Sequence, residues 1–288
     1  MKRNFTVIGA ILGFVFASFF QSKAAAESGS LRVKLGVCDW TLEKPGDLSA
    51  LALAAKLGLQ GVQVLLNVKD GSLLLAAPSL QKTYLDTAAK NRVEITSFVP
   101  GELNDAPLQS DPRAEKWVGE SIAVCRAMKV KVILVPFFGK ADLRNAPGAV
   151  DAVVEVLKRV APKAEKAGVI LGLESRLSAE ELLRIIELVG SPAVQVYYDV
   201  ANSQEAGYDI FREIRLLGKH ICQLHAKDNK DLYGQGSIDF KAVRKALEDI
   251  GYSGWVVMEG TKMPLGVEES IRYDTNYLKT IFPEAKIK

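Results

Sequence analysis

Four residues with the chemistry of metal ligands follow one another along the second half of the chain. They are Glu174, Asp199, His225 and Glu259, separated by 25, 26 and 34 residues. Each ends a short apolar run. Taken singly, an acid in that place often just caps the next turn, and His225 is compatible with a satisfied core histidine. Taken together, three carboxylates converging on one spot would repel one another, because a neighbouring like charge disfavours ionisation. A divalent cation removes that cost. Three carboxylates and one imidazole leave two positions of an octahedron open to a substrate. Mostly oxygen donors with one nitrogen suit Mn²⁺, the first expectation, or Mg²⁺ or Co²⁺, better than a soft-ligand zinc site.

The elements that must carry these residues repeat. After Ser30, apolar runs over 33–40, 61–66, 93–98, 130–136, 169–174, 194–200, 220–226 and 255–259 read as strands buried on both faces. Helical patterns with recognisable ends lie between them. Asp47 is placed to cap a helix stopping at Gly58, and Pro78 opens another. Ser178-Ala179-Glu180-Glu181 is a capping box for a helix followed by Gly190, and Asp239 caps one ended by Gly251. Strand–helix units repeated eight times in about 250 residues predict a single closed (β/α)8 barrel over residues 31–283. A doubly wound open sheet usually shows a Gly-rich fingerprint after its first strand, and Val37-Cys38-Asp39-Trp40 is not one. In a parallel barrel, chemistry sits at the C-terminal strand ends, where strands five to eight present the four ligand-type residues.

These residues resemble the sugar isomerase/epimerase superfamily with the xylose-isomerase-like barrel. The resemblance rests on the order Glu174, Asp199, His225, Glu259 and on the stretches 196–202, 224–228, 234–240 and 251–255, with 53–64 similar to the first helix and second strand. It implies a ketose 3-epimerase or a related aldose–ketose isomerase that is dependent on a divalent metal. Glu174 and Glu259 would be the proton-transfer pair as well as ligands, on opposite faces of the substrate. Arg176 is placed to bind a hydroxyl or carboxylate, or to be a solvated residue starting its loop. Asn202 stands where some members have a substrate-binding histidine, which leaves the sugar preference open. Lys227, two residues after His225, shares its strand face, which favours a substrate or metal-shell role. Asp228 supports Lys227 or starts the loop. Trp40 would stack on a sugar or pack in the core, and His220, at the other end of its strand, reads as structural. A lyase or dehydratase acting on a keto-sugar shares the first chemical step, and a non-catalytic carbohydrate-binding barrel is the reading from another class. An abasic-site endonuclease of the same fold needs more histidines than the 2 here.

Composition limits the partners. Hydrophobic residues make up 48% and charged residues 25%, as in an ordinary globular chain. Residues 1–26 carry Lys2, Arg3 and Lys23 and no acid, so the remainder has 34 basic against 34 acidic residues. A neutral body argues against nucleic acid as a partner. The same 26 residues read as a secretory signal: a basic start, a 14-residue apolar run from Val7 to Phe20, and Ala24-Ala25-Ala26 as the cleavage site. The competing reading is an uncleaved membrane anchor, but the run is short for a span. The expectation is an exported protein, periplasmic or secreted, with no stable membrane span after cleavage. Self-association stays compatible with the barrel. Export favours an unphosphorylated keto-sugar or keto-glycoside, and Gly234-Gln235-Gly236 is a weak phosphate cradle. Cys38, Cys125 and Cys222 are too few and too widely spaced for a disulfide framework and read as small core residues.

Overall fold

A computed structural model describes residues 31–144, 147–260 and 262–283. The expected signal segment, 1–26, lies outside them. Eight parallel strands close into a barrel: β1 Arg32–Cys38, β2 Gly61–Leu66, β3 Glu94–Pro100, β4 Val132–Pro136, β5 Ile170–Glu174, β6 Val194–Asp199, β7 Ile221–Ala226 and β8 Ser253–Met258. The helices around them are α1 Ser49–Lys56, α2 Pro78–Asn91, α3 Pro112–Met128, α4 Ala149–Ala167, α5 Ala179–Val189, α6 Val200–Glu205, α7 Ile210–Leu217, α8 Phe240–Asp249 and α9 Val267–Ile281. Among the described residues, no helix is long and apolar enough to cross a membrane.

The helix ends follow from their residues. Ser178 accepts from the Glu181 amide while the Glu181 carboxylate accepts from the Ser178 amide, and Gly190 closes α5 at φ 68°. Asp239 accepts from the amides of Lys241 and Ala242 and starts α8. Asp47 acts one residue earlier than expected. Its carboxylate accepts from the Ser49 amide at 2.7 Å, but Leu48 occupies the cap position of α1. Strand ends also differ by a few residues from the sequence expectation. Asp39 and Trp40 lie beyond β1 in a turn, and Val200 already belongs to α6.

Most of the apolar core lies in one large cluster that the helices share with the outer faces of the strands, while a small second cluster of Val99, Val132, Leu134 and Tyr197 fills the barrel interior. That interior needs narrow strands where large rings cross it. A methyl on Gly61 would come within 2.8 Å of the Trp255 ring, and one on Gly172 within 2.8 Å of Cys222 Sγ and 3.2 Å of Tyr197. The strand register places the ligand-type residues at one level. Asp199 on β6 pairs with His225 on β7. The Glu259 amide, one residue past β8, donates to the Ala226 carbonyl at 2.9 Å and so continues the ladder.

Candidate metal centre and substrate cleft

At the C-terminal mouth of the barrel, Glu174, Asp199, His225 and Glu259 each offer one ligand atom, all within 4.8 Å of one another. His225 Nδ1 is the hub. It lies 2.9 Å from Glu174 Oε1, 3.4 Å from Glu259 Oε2 and 3.7 Å from Asp199 Oδ2. The side chains of Asp199 and His225 are fully buried. Asp199 Oδ1 accepts from the Asn202 amide at 2.7 Å, which opens α6, while Asp199 Oδ2 is buried with no hydrogen-bond partner. An orphaned carboxylate oxygen facing two more carboxylates and an imidazole is what a cation would satisfy, so the donor set fits a divalent ion.

The electrostatics carry the same message. Burial pushes the Asp199 carboxyl well up, and the neighbouring Glu259 and Glu174 add to the rise against the pull of Lys227 and His225. Burial also acts upward on Glu259, but the positive charge of His225 and Lys227 outweighs it and holds Glu259 below the usual carboxylate range. Burial alone would depress His225, yet Glu174, Glu259 and Asp199 keep it above its ordinary value. Burial and the two neighbouring acids therefore make the ionised form of Asp199 costly, and a cation among the four residues removes that cost.

Lys227 is part of this centre. Its Nζ donates to Glu259 Oε2 at 3.0 Å and lies 3.7 Å from Asp199 Oδ2. Trp40 Nε1 donates to Glu259 Oε1 at 3.1 Å, so the indole faces the site and is not ordinary core. A cleft of about 360 Å³ opens above the centre, and Trp40, Glu174, Arg176, Asn202, Lys227 and Glu259 line it together with apolar side chains such as Leu134 and Phe138. The residues named from sequence thus meet at one cavity. His220 precedes β7 at the opposite end of the barrel.

Three residues escaped the sequence reading. His225 Nε2–H donates to Gln63 Oε1 at 2.7 Å, and Gln63 also accepts from Cys38 Sγ at 3.2 Å and the Tyr197 hydroxyl at 3.4 Å. Cys38 is consequently a neighbour of the candidate metal centre as well as a core residue. Asp39 is fully buried and accepts from the amides of Gly46 and Leu65 at 2.8 and 2.9 Å, which fastens the loop carrying Trp40 to β2. Burial pushes its carboxyl up to about 7, against the pull of backbone amides from Leu65, Gly46 and Trp40. A single amide inside the apolar run Val62-Gln63-Val64 was the available signal for Gln63.

The loop after β7 is organised by Asp228, which accepts from the amides of Lys230 and Ile238 at 2.9 Å each. A Cβ on Gly236 would meet the Asp228 carboxylate at about 2.1 Å. Gly236 therefore seats an acid, and the Gly234-Gln235-Gly236 stretch serves loop packing.

The family described as a xylose isomerase-like TIM barrel matches residues 51–281. A 2-epi-5-epi-valiolone 7-phosphate 2-epimerase from an Actinoplanes species is 25% identical over 197 residues, spanning 68% of this chain and 72% of that protein. Among solved structures, a D-psicose 3-epimerase determined in the presence of D-fructose superposes with a TM-score of 0.72 at 16% identity, covering 87% of this chain and 99% of the other. A 3-keto-D-glucoside 4-epimerase from E. coli superposes with a TM-score of 0.71 at 18% identity, covering 86% and 100%. At such identities, the structural likeness speaks for the fold.

Proposed function

This chain belongs to the xylose isomerase-like TIM-barrel family, and from that premise we propose that it is a divalent-metal-dependent sugar isomerase or epimerase acting next to the carbonyl of an unphosphorylated keto-sugar or keto-glycoside. The observation that carries the proposal is the convergence of Glu174, Asp199, His225 and Glu259 within 4.8 Å at the floor of a lined cleft. The four residues would hold a divalent ion, Mn²⁺ first, with Mg²⁺ and Co²⁺ as the other candidates for a mostly oxygen donor set. A bound ion supplies Lewis-acid stabilisation of the negative charge that develops on the ketone oxygen when the adjacent carbon loses its proton.

The rest is work for the chain's own residues. Glu174 and Glu259 stand at the ends of β5 and β8, with β6 and β7 between them. One removes the carbon-bound proton, and the other returns a proton on the opposite face and inverts the centre. Trp40 and Lys227 hydrogen-bond different oxygens of Glu259 and fix its orientation. Asn202, on the first turn of α6, lines the cleft and is placed to meet a sugar hydroxyl. The unphosphorylated reading draws support from Asp228 occupying the glycine stretch after β7, where an acid repels phosphate. The sequence of residues 1–26 supports export, with cleavage near Ala26. Intact-mass measurement of protein from a periplasmic fraction is expected to show those residues missing, and a full-length cytoplasmic product overturns that part.

The decisive experiment incubates the metal-loaded protein with free ketoses and keto-glycosides in D₂O and reads deuterium uptake at carbon. Glu174→Gln and Glu259→Gln should each lower turnover by about 10²–10⁴-fold while the barrel still folds. Glutamine keeps the size and an acceptor oxygen but cannot take the proton. With the two epimers as substrates, the variant that still permits exchange should switch. Near-normal rates with both epimers in either metal-loaded variant defeat the two-glutamate assignment.

A further inference from the structure

Arg176 lines the cleft two residues beyond Glu174, and its one ion pair among the described residues is long. Its Nε is buried without a hydrogen-bond partner. The nearest carboxylate, on Glu205, stands 3.7 Å from Nη2 and is shared with Asn229, whose Nδ2 donates to it at 2.7 Å. Asp142, which the Arg176 charge also reaches, is hydrogen-bonded by both Nε and Nη2 of Arg144. A guanidinium presents its donors as a rigid fork suited to an oxyanion, and a buried donor left unpaired is costly.

The charge balance of the centre points the same way. A divalent ion and three carboxylates alone leave one negative charge, which would repel an anionic substrate. Lys227, with its ammonium against Glu259 and Asp199, cancels that charge. Arg176, held only at 3.7 Å by Glu205, is then a loosely paired positive charge on the wall of a neutralised site.

We propose that Arg176 is an oxyanion subsite and that the substrate is an anionic keto-sugar, a sugar acid whose carboxylate binds Arg176 while its carbonyl end lies over the four-residue centre. This rests on the keto-sugar reading above and narrows it.

The test compares three ligands that differ only at carbon 6: D-fructose, D-fructuronate and D-fructose 6-phosphate, titrated calorimetrically into Mn²⁺-loaded protein, with inorganic phosphate as a probe that carries no sugar. Fructuronate should bind about 10- to 100-fold more tightly than fructose. In Arg176→Gln that ratio should fall to about one, and Arg176→Lys should keep part of it. A stronger preference for fructose 6-phosphate that also depends on Arg176 keeps the subsite and overturns the unphosphorylated reading. Arg176-dependent binding of phosphate with no binding of any of the three sugars keeps the subsite and defeats the keto-sugar reading. Equal binding of fructose and both anions, an anion preference that survives Arg176→Gln, or no binding of any probe overturns the subsite.

Discussion

His225 has both ring nitrogens engaged, and the partner of one determines what the other can do. Gln63 Oε1 can only accept, so Nε2 carries a proton, and Nδ1 is the nitrogen left to face Glu174, Asp199 and Glu259. Outer partners of this kind set the tautomer and ring orientation of a ligating histidine and typically matter by about 10–100-fold in metal affinity. Gln63→Leu is therefore expected to weaken Mn²⁺ binding by about that factor, measured by titration calorimetry, with the fold intact by circular dichroism. The chain has only 2 histidines, so ¹⁵N spectra of Mg²⁺-loaded protein report the state of His225 with little overlap. They should show the proton on Nε2 in the parent protein and a changed Nε2 signal in the variant. Unaltered affinity and spectra would remove Gln63 from any positioning role.

Helix α9 meets the loop after β7 through one buried acid. Asp274 Oδ1 accepts from the Tyr233 amide at 2.8 Å, and Tyr233 in turn donates its hydroxyl to the Ala226 carbonyl at the end of β7. Burial pushes the Asp274 carboxyl up to about 7, opposed by the Tyr233 amide and reinforced by Asp228 and Asp231. A raised carboxyl means that the folded chain holds this proton more tightly than the unfolded one. Its contribution to stability is fully present below about pH 4 and is lost as pH rises through about 7. Asp274→Asn keeps an acceptor oxygen without the charge. The variant should gain about 4 kcal/mol on the parent between pH 4 and pH 8, read from denaturation midpoints at the two pH values. A gap that does not change with pH would contradict the assignment. The hairpin of Val68–Lys69 with Ser72–Leu73 is a second element-scale feature. Asp70 and Gly71 both have positive φ, 52° and 78°, the mirror-image turn that joins two strands tightly. Its strands are two residues each, too short for an alternating pattern to register. Lys116 and Trp117 of α3 both donate to the Gly71 carbonyl and pin the hairpin in place.

For the molecule as a whole, the mouth of the barrel concentrates buried negative charge that folding must accommodate, so a cation that binds there should stabilise the fold. At a free Mn²⁺ concentration 100 times its dissociation constant, the gain is about 2.7 kcal/mol, a rise in Tm of roughly 5–10 °C for a chain of this size. Differential scanning with and without Mn²⁺, reversed by chelator, measures it, and an unshifted Tm with the native fold retained would count against a metal centre. The chain alone determined a good deal of this architecture. Alternation of buried strands and capped helices is a local periodicity, and in a parallel barrel it fixes which residues reach the active end. Glu174, Asp199, His225 and Glu259 could be placed on one rim without coordinates for that reason. The capping box at Ser178 and the cap at Asp239 were equally local. Tertiary structure alone decided what lies behind that rim and across it. Gln63 meets His225 from 162 positions away, and Trp40 reaches Glu259 from 219 positions away. Such pairs depend on how the closed sheet is staggered and on which inward side chains leave room for others, as Gly61 does for Trp255 and Gly172 for Tyr197. No local pattern records that stagger, because a strand specifies which of its faces is buried but not which strand it will face across the barrel.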